Sequence, residues 1–449
     1  MNLRWFRCEA ARLPQGWSGP ANIGVDDRGI IQSIGGEVPE DETAEVLRGC
    51  VMPGMANLHS HAFQRGMAGL AERQVAEGDD FWGWRALMYR FAAQLEPDDV
   101  RAIAAQAYLE MLRAGYTSVC EFHYLHHQRD GKPYAADRMA AALIEAARET
   151  GIALTLLPVL YRTSDFGAAP LPEQRRFIQT PEIFLERLAA FEADGAHIGV
   201  AFHSLRAVPA VDIEYVLARL RSDMPVHIHV AEQTAEVERC RAHTGQTPAA
   251  WLLDHCPVGK HWALVHATHV SEAEIAGLAR SGATAVLCPS TEGNLADGIF
   301  PFDAYRAQGG RFGIGSDSHV TVDPSEELRW LDYGARLARR KRMPENEGPP
   351  HRGADLWLAA ADTAVSGRAA GAIAVGQHAD WIVADGEAAA LAGRSGDAVI
   401  DTLVFGARTN LVRDVVVGGK VVVRRGRHQA APDIKARYVR TVRALAGTA

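Results

Sequence analysis

The 449-residue sequence predicts an α/β protein, with a (β/α)₈ (TIM) barrel in the middle of the chain and a small β domain formed from both termini. The main observation is a change of pattern along the chain. Residues 54–369 alternate helical stretches with short apolar runs, whereas residues 1–53 and 370–449 contain strands separated by turn residues. A second observation, the H-x-H pair His59 and His61, predicts that the barrel holds a metal ion.

The two ends of the chain read as strands. Ala21–Val25 and Ile30–Ile34 flank the turn residues 26–29, which is a hairpin pattern. Near the C-terminus, residues 380–385, 399–405 and 414–423 are rich in β-branched residues and are separated by turn residues. We therefore expect one small sheet domain built from both ends.

The barrel prediction depends on eight apolar runs separated by helical stretches. The runs lie near Val51 and at residues 118–120, 153–157, 197–201, 226–229, 263–266, 285–287 and 312–315. Eight strand–helix units in one large domain are typical of a (β/α)₈ barrel. An open doubly wound sheet is the alternative, although the G-x-G-x-x-G fingerprint that often marks it is absent.

Composition excludes several classes of protein. The net charge of −8 argues against general nucleic-acid binding, which needs a basic face. No run of about 18 apolar residues is present, so we expect no membrane span, and the N-terminus has no secretory apolar core. The six cysteines are scattered without a C-x-x-C motif, which favours free thiols and a cytoplasmic location.

The metal site is predicted from polar residues at strand ends. Side chains at positions i and i+2 of a strand share a face, so His59 and His61 can bind one ion. The fifth and eighth strands end at His229 and Asp317, at the edge where barrel enzymes keep their sites. Neutral imidazoles and a carboxylate, with one position left for water, are the usual arrangement around catalytic zinc. We therefore predict one divalent metal, zinc, held by His59, His61, His229 and Asp317.

Two further residues supply the chemistry that hydrolysis of a carbon–nitrogen bond requires. A metal lowers the pKa of bound water to about 7. Glu232 can protonate the leaving nitrogen if its pKa is raised, and His266 can stabilise the developing tetrahedral centre. Each residue alone is more simply explained as a hydrogen-bonded loop residue. Taken together, the order and spacing of these residues across the eight strand–helix units favour a metal hydrolase over a non-catalytic binding protein on the same barrel.

Motifs across nearly the whole chain resemble the amidohydrolase superfamily, specifically its deaminase branch. These motifs are Pro53–His61, His229–Glu232, Val265–His266, Gly315–Asp317, residues 376–380 and Val417–Lys420. The resemblance implies a metal-dependent barrel with a small β-sandwich domain built from both termini. Relatives with two metals use a carboxylated lysine at a strand end. No lysine of this chain ends a predicted barrel strand, so we expect a single metal.

The substrate is predicted to be small and doubly acidic. Arg85 and Arg206 can each hold a carboxylate through two parallel hydrogen bonds. Gln64, Tyr124 and His203 add groups that orient the substrate. The alternative is that both arginines pair with carboxylates of the protein and that nearby tryptophans pack a lid.

Five segments narrow the resemblance to the formimidoylglutamate deiminase family. They are His59–Arg65, Trp82–Arg85, Glu121–Tyr124, His203–Pro209 and Ser316–His319. The resemblance implies hydrolysis of N-formimidoyl-L-glutamate to N-formyl-L-glutamate and ammonia in histidine degradation. It assigns Asp317 to accept the proton of water, Glu232 to protonate the departing amine and His266 to steady the adduct. The chain departs from the pattern of this family at two positions. Family members are expected to have Ala and Gly where this chain has Gly293 and Ala296.

The nearest alternative is a deaminase of the same superfamily that acts on guanine, cytosine or an adenosine-like nucleoside. Arg85 and Arg206 argue against it, because a base does not need two carboxylate clamps. Family resemblance also implies a homodimer. The aromatic segment Asp79–Arg90 is predicted to close over the substrate as a lid.

Overall fold

The computed structural model describes residues 2–72, 81–193, 197–344, 351–361 and 364–446. The strands are β1 Arg4–Leu13, β2 Gly16–Ser18, β3 Ala21–Val25, β4 Ile31–Ile34, β5 Ala44–Pro53, β6 Met55–Ser60, β7 Tyr116–His123, β8 Ala153–Leu160, β9 Val200–Ser204, β10 Val226–Val230, β11 Trp262–His266, β12 Thr284–Leu287, β13 Arg311–Ile314, β14 Trp381–Ala384, β15 Val412–Val417 and β16 Lys420–Val423. The helices are α1 Phe81–Ala92, α2 Pro97–Ala114, α3 Arg138–Thr150, α4 Pro181–Ala193, α5 Ala210–Leu217, α6 Thr234–Thr244, α7 Pro248–His255, α8 Glu272–Ser281, α9 Pro289–Asn294, α10 Phe302–Ala307, α11 Pro324–Arg339, α12 Arg352–Ala360, α13 Ala398–Asp401 and α14 Ala431–Ala446.

Strands β6 to β13 form a closed parallel barrel in chain order, with β13 paired to β6. This confirms the predicted (β/α)₈ barrel, and closure excludes the open doubly wound sheet. Every barrel strand is strongly apolar and mostly buried, as expected when helices cover the outer face. The carboxyl ends of all eight strands therefore open on one side of the barrel.

One strand assignment is wrong. The run near Val51 was expected to open the barrel, but it belongs to β5, which pairs with β1 and β14 in the terminal sheet. The first barrel strand is β6, which carries His59. The apolar run continues through both strands, and only the break at Pro53–Gly54 separates them. The Gly54 amide still bonds to Asp380 of the terminal domain, whereas the Met55 amide bonds to Gly115 beside the barrel.

A second assignment is also wrong. Residues 399–405 were expected to form a strand, but they form α13 followed by a π-helical turn at Thr402–Gly406. Their buried residues are Val399, Ile400, Leu403 and Val404, which share one face at helical spacing. A short apolar run rich in β-branched residues does not distinguish a strand from a buried helix.

The remaining strands form one mixed sheet in the order β16-β15-β14-β5-β1-β3-β4, with β2 paired to β1. Both termini contribute to it, which confirms the predicted terminal β domain. Residues from six of its strands share one hydrophobic core that is separate from that of the barrel. We retain residues 1–53 with 370–449, and residues 54–369, as the proposed domains. The described residues include no helix long and apolar enough to cross a membrane.

Gly54 is expected to be required where the chain passes from the terminal sheet into the barrel. A Cβ atom at this position would lie 2.3 Å from Thr117 Cγ2. We expect Gly54→Ala to lower the free energy of unfolding by about 1–3 kcal/mol, because a buried overlap forces the backbone to shift. Urea denaturation measures the change. Adding Thr117→Ala should recover part of the loss, whereas strictly additive effects would show that the two sites do not clash.

Candidate active site

The four predicted metal ligands converge at the carboxyl ends of three strands. His59 lies in β6, His61 directly after it, His229 in β10 and Asp317 just beyond β13. His59 Nε2 and His229 Nε2 are 3.0 Å apart. Asp317 Oδ1 lies 3.5 Å from His59 Nε2 and 3.4 Å from His61 Nε2. Four donors distant in the sequence thus surround one point.

Hydrogen bonds behind the imidazoles set which nitrogen faces this point. His61 Nδ1 donates to the Phe122 carbonyl at 3.0 Å, and His229 Nδ1 donates to the His203 carbonyl at 2.8 Å. Because a carbonyl oxygen only accepts, both Nδ1 atoms carry the proton and both Nε2 atoms present a lone pair. Such bonds orient metal-binding histidines in known sites.

Burial also keeps these histidines neutral. It lowers the pKa of His61, and it lowers the pKa of His59 and His229 well below the usual value, with neighbouring histidines adding to the effect. Neutral imidazole is the form that binds metals. Three nitrogen donors and one carboxylate oxygen fit a divalent ion such as zinc.

Strained backbone accompanies the site. Ala231, His266, Ala267, Asp317 and His319 all have φ between 43° and 68°, a region that residues other than glycine rarely adopt. Each such conformation costs of order 1–3 kcal/mol and persists only where the surrounding structure enforces it. The loops after β10, β11 and β13 are therefore held in shapes that turn their side chains toward the centre.

Glu232 and His266 lie beside the ligands. His266 Nε2 is 3.8 Å from Glu232 Oε1 and 3.6 Å from Asp317 Oδ2. Burial raises the pKa of Glu232 to about 7, although His266 opposes the shift. Burial would lower the pKa of His266, but the carboxylates of Glu232, Glu292 and Asp317 outweigh it and raise the pKa to about 10. Glu232 can therefore hold a proton near neutral pH.

Glu292 contacts His266, and no sequence pattern predicted this residue as part of the site. Its Oε1 lies 3.3 Å from His266 Nδ1 and accepts a hydrogen bond from the Cys288 amide at 2.9 Å. Glu292 is thereby fixed at the start of α9 and orients the His266 ring from behind. The residue lies in the segment after the seventh strand, but no spacing rule connects it to His266, 26 residues earlier.

A chain of buried hydrogen bonds supports the ligands from below. Asn57 Nδ2 donates to Ser316 Oγ, which donates to His319 Nδ1; His319 Nε2 donates to Ser60 Oγ, which donates to Glu121. Ser60 separates the two H-x-H histidines, and Ser316 precedes Asp317. The chain therefore ties the two ligand-bearing loops together. His319 is fully buried in this network.

A cleft of about 530 Å³, part of it open to solvent, leads to the cluster. All five predicted substrate-binding residues line it together with metal ligands and catalytic candidates. The lining residues are His61, Gln64, Phe81, Trp84, Arg85, Met88, Tyr89, Tyr124, Tyr161, His203, Arg206, His229, Glu232, His266, Leu295 and Asp317. Phe81, Met88 and Tyr89 belong to the segment predicted to close over the substrate, whereas Tyr161 and Leu295 are additions, because apolar and aromatic residues carry no distinctive sequence signal.

The two arginines of the cleft have no ion-pair partner in the part of the chain that the structure describes. Among the described residues, no carboxylate lies within 4.0 Å of Arg85 or Arg206. Arg85 packs over the Trp82 ring at 4.3 Å, and its Nη1 is buried without a hydrogen-bond partner in the described structure. Arg206 Nη1 donates to the Ser164 carbonyl at 3.0 Å. The alternative in which both arginines pair with protein carboxylates is therefore not favoured.

Gln64 and His203 are further polar residues of the cleft. Gln64 Nε2 donates to Tyr124 Oη at 2.9 Å, and Gln64 Oε1 is buried with no partner among the described residues. His203 Nδ1 lies 3.2 Å from Ser204 Oγ. Burial, followed by the nearby charge of Arg206, lowers the pKa of His203 well below its usual value. The cleft thus offers two cations, a neutral imidazole and an unused amide oxygen.

Comparison with known proteins agrees with this geometry. Residues 50–422 match the amidohydrolase family. The chain belongs to that family. It is 49% identical to a formimidoylglutamate deiminase of Pseudomonas aeruginosa over 94% of each chain. It also resembles the crystal structure of an amidohydrolase from Brucella melitensis, with a TM-score of 0.91 and 44% identity over 98% of this chain and 99% of that one.

A more distant structure shares the fold. It is an adenosine deaminase from Xanthomonas campestris with bound zinc, with a TM-score of 0.80 and 21% identity over 99% of this chain and 98% of that one. The amidohydrolase family is metal-dependent, so the predicted metal-dependent hydrolase acting on carbon–nitrogen bonds of small molecules is confirmed. The roles of individual residues in this amidohydrolase remain predictions.

The predicted lid falls only partly on described residues. Asp79 and Asp80 lie outside them, whereas residues 81–90 form most of α1. This helix contributes Trp84 and Arg85 to the cleft wall. Movement of the segment remains a prediction.

Gly315 is expected to be essential for metal binding by this amidohydrolase. A Cβ atom there would lie 2.6 Å from His59 Cβ and 2.9 Å from the His59 backbone. We expect Gly315→Ala to displace His59 and to reduce the bound metal, measured by elemental analysis of purified protein. Gly19→Ala, where no atom lies within 4 Å of the added Cβ, is the matched control. Full metal content in Gly315→Ala would contradict this reading.

Proposed function

We propose that this amidohydrolase hydrolyses N-formimidoyl-L-glutamate to N-formyl-L-glutamate and ammonia, in the degradation of histidine. The observation that carries the proposal is a pair of arginines that have no carboxylate partner among the described residues and that line the same cleft as the cluster of metal-binding residues. A substrate with two carboxylates and one hydrolysable C–N group matches both sets of residues. The similarity to the Pseudomonas aeruginosa deiminase supports the same substrate.

The proposed cofactor is a single zinc ion held by His59, His61, His229 and Asp317. When bound, the ion lowers the pKa of a water molecule and makes it nucleophilic near neutral pH. None of the eight barrel strands, all of which lie in the described structure, contains a lysine. A carboxylated lysine bridge to a second ion is therefore not available from a barrel strand.

The proton transfers are assigned to neighbouring side chains. Oδ1 of Asp317 faces the ligand histidines, whereas Oδ2 faces His266 and can accept the proton of the attacking water. Water adds to the formimidoyl carbon, and His266 stabilises the tetrahedral adduct. Glu232, whose pKa is raised to about 7, protonates the amine that leaves as ammonia. The C–N bond to that amine breaks, and N-formylglutamate remains.

The cysteines and the net charge bear on the cellular surroundings of the enzyme. All six cysteines lie in the described structure as free thiols, and five of them are buried, which supports the proposed cytoplasmic location. A homodimer is also proposed. The net charge of −8 argues against a nucleic-acid partner.

Substrate choice tests the proposal directly. Ammonia release should be rapid from N-formimidoyl-L-glutamate and absent from guanine, cytosine and adenosine. The physical reason is that a neutral base leaves both guanidinium groups of Arg85 and Arg206 unpaired in a partly desolvated cleft. A coupled ammonia assay with zinc-loaded protein measures the rates. Activity on the bases alone would establish the rival nucleobase deaminase.

The two arginines can be assigned to the two carboxylates with truncated substrates. The N-formimidoyl derivative of 4-aminobutyrate lacks the α-carboxylate, and that of 2-aminobutyrate lacks the γ-carboxylate. We expect Arg85→Gln and Arg206→Gln each to reduce kcat/KM for the full substrate by about 10²-fold or more, as loss of a charged hydrogen bond implies. For each variant, kcat/KM should fall little further with the truncated substrate that lacks the carboxylate bound by the replaced arginine. Equal sensitivity of both variants to both truncations would contradict separate clamps.

Glu232 and Glu292 should give different kinetic defects. Glu232→Gln keeps the shape but cannot donate the proton, so we expect turnover to be abolished with metal retained. Glu292→Gln changes only the support of His266, so we expect kcat to fall by about 10–100-fold with KM nearly unchanged. Steady-state kinetics and metal analysis measure both. Wild-type kcat in Glu232→Gln would remove this residue from the mechanism.

A further inference from the structure

Asp297 is a buried acid that the proposed mechanism does not use. It lies in the loop after α9 and is only 5% exposed. Its Oδ1 accepts a hydrogen bond from Nε2 of Gln233, the residue next to Glu232. Its Oδ2 is buried with no hydrogen-bond partner in the described structure. Leaving a buried polar atom unpaired costs stability, so this oxygen calls for an explanation.

The backbone around Asp297 fixes the direction of its side chain. The Asp297 carbonyl accepts a hydrogen bond from His269 Nε2 at 2.8 Å, and the Asp297 amide donates to the Glu292 carbonyl at 2.9 Å. The flanking residues Ala296 and Gly298 have positive φ values of 57° and 136°. Alanine rarely adopts this conformation, so the surrounding structure enforces it. Asp297 is therefore held between the loop after β11 and helix α9.

The carboxyl group of Asp297 lies close to the catalytic candidates. One of its oxygens, a carboxylate oxygen of Glu232 and a ring nitrogen of His266 all lie within 4.8 Å of one another. Two buried carboxylates at such a distance repel each other when both are ionised, so the pair retains a proton. The other ionisable side chains that face Glu232 and Asp297 are Arg206, Glu236, His266, His269, Glu292 and Asp317.

The retained proton is assigned to Asp297. Burial raises the pKa of Asp297 to about 9, and the charge of Glu232 adds to the effect, whereas that of His266 opposes it. The pKa of Glu232 is raised only to about 7. Asp297 therefore remains neutral when Glu232 has lost its proton. A neutral carboxyl group has an O–H donor, and a protonated Oδ2 needs an acceptor rather than a donor facing it.

We propose that Asp297 is a positioning residue for Glu232, whose carboxylate accepts a hydrogen bond from the Asp297 O–H once Glu232 has protonated the leaving nitrogen. This role rests on the proposed function, in which Glu232 supplies that proton. The O–H bond of Glu232 breaks, an N–H bond forms on the departing amine, and a negative charge stays on Glu232. The hydrogen bond from Asp297 stabilises that charge, while Gln233 holds the other oxygen of Asp297. The proton of Asp297 is not consumed.

Two variants of Asp297 differ in whether they can donate to Glu232. Asp297→Asn keeps an oxygen for Gln233 and offers an amide N–H, whereas Asp297→Leu offers neither. We expect Asp297→Leu to lower kcat for N-formimidoyl-L-glutamate by about 10–100-fold, as loss of a hydrogen bond to a charged group implies, with KM and zinc content unchanged. Asp297→Asn should recover most of this loss. Asp323→Asn, at an aspartate outside the cleft whose pKa burial also raises, is the matched control and should keep the wild-type kcat.

Three kinetic outcomes would overturn this role. The first is wild-type kcat in Asp297→Leu, and the second is an Asp297→Asn variant as slow as Asp297→Leu. The third concerns Gln233→Leu, which removes the hydrogen bond at Oδ1 of Asp297 but leaves the carboxyl group, so its kcat should fall less than that of Asp297→Leu. Equal losses in Gln233→Leu and Asp297→Leu would show that Asp297 only holds Gln233.

Infrared difference spectroscopy tests the proton on Asp297 without relying on turnover. Near neutral pH, the zinc-loaded wild type should show a protonated-carboxyl C=O band that shifts when aspartate is isotopically labelled. The band should be lost in Asp297→Asn and remain in Asp323→Asn. Absence of such a band would mean that Asp297 is ionised and would overturn its role as a donor. A wild type that releases no ammonia from N-formimidoyl-L-glutamate would contradict the proposed function, whereas the band would still decide whether Asp297 donates.

Discussion

Three buried imidazoles whose Nε2 atoms converge on one point, together with the Asp317 carboxylate, impose the main constraint on this structure. His59 Nε2 and His229 Nε2 are only 3.0 Å apart, and the bond from His229 Nδ1 to a carbonyl leaves its Nε2 without a proton. His61 Nε2 and Asp317 Oδ1 approach the same point. Donors without protons repel each other in a medium of low dielectric constant unless a cation lies between them. The site is therefore built for a metal, and its geometry depends on whatever holds these donors in place.

Much of the surrounding structure holds the four metal-binding side chains in place. Positive φ values at His266 and Asp317 turn their side chains inward, and the hydrogen-bond chain through Ser60, His319 and Ser316 links the two ligand loops. Close contact of Gly315 with His59 brings β13 and β6 together at the point where both contribute ligands. Strain in the loops is compensated by a rigid barrel underneath. Residues remote from the reacting atoms thus determine how accurately the donors converge.

The cleft above the cluster divides into regions of different chemistry. Near the ligands it carries Glu232 and His266, and the pKa of each is raised, so that Glu232 can hold a proton near neutral pH and His266 is positively charged. The same cleft carries Arg85 and Arg206, which have no ion-pair partners among the described residues. Its lining therefore provides one set of groups for bond cleavage and another for recognition of anions. The Trp82 ring stacked on Arg85 keeps one guanidinium in position without neutralising it.

The sequence allowed the barrel, the terminal β domain and the four converging ligands to be predicted, because each depends on periodicity or on strand-end position. The boundary between β5 and β6 could not be predicted, since one apolar run continues through both strands. Residues 399–405 were misassigned because buried helices and buried strands share the same apolar composition. Glu292 and Tyr161 were missed, since their contacts join segments that no spacing rule connects.

X-ray absorption spectroscopy of the zinc-loaded protein tests the central claim most directly, because it reports the ligands of the bound ion alone. The account predicts about three imidazole nitrogens and one or two oxygens near 2.0–2.1 Å, with no sulfur. Replacing His229 by alanine should then remove one imidazole from the spectrum. A sulfur shell near 2.3 Å, or an imidazole count unaffected by that replacement, would contradict it.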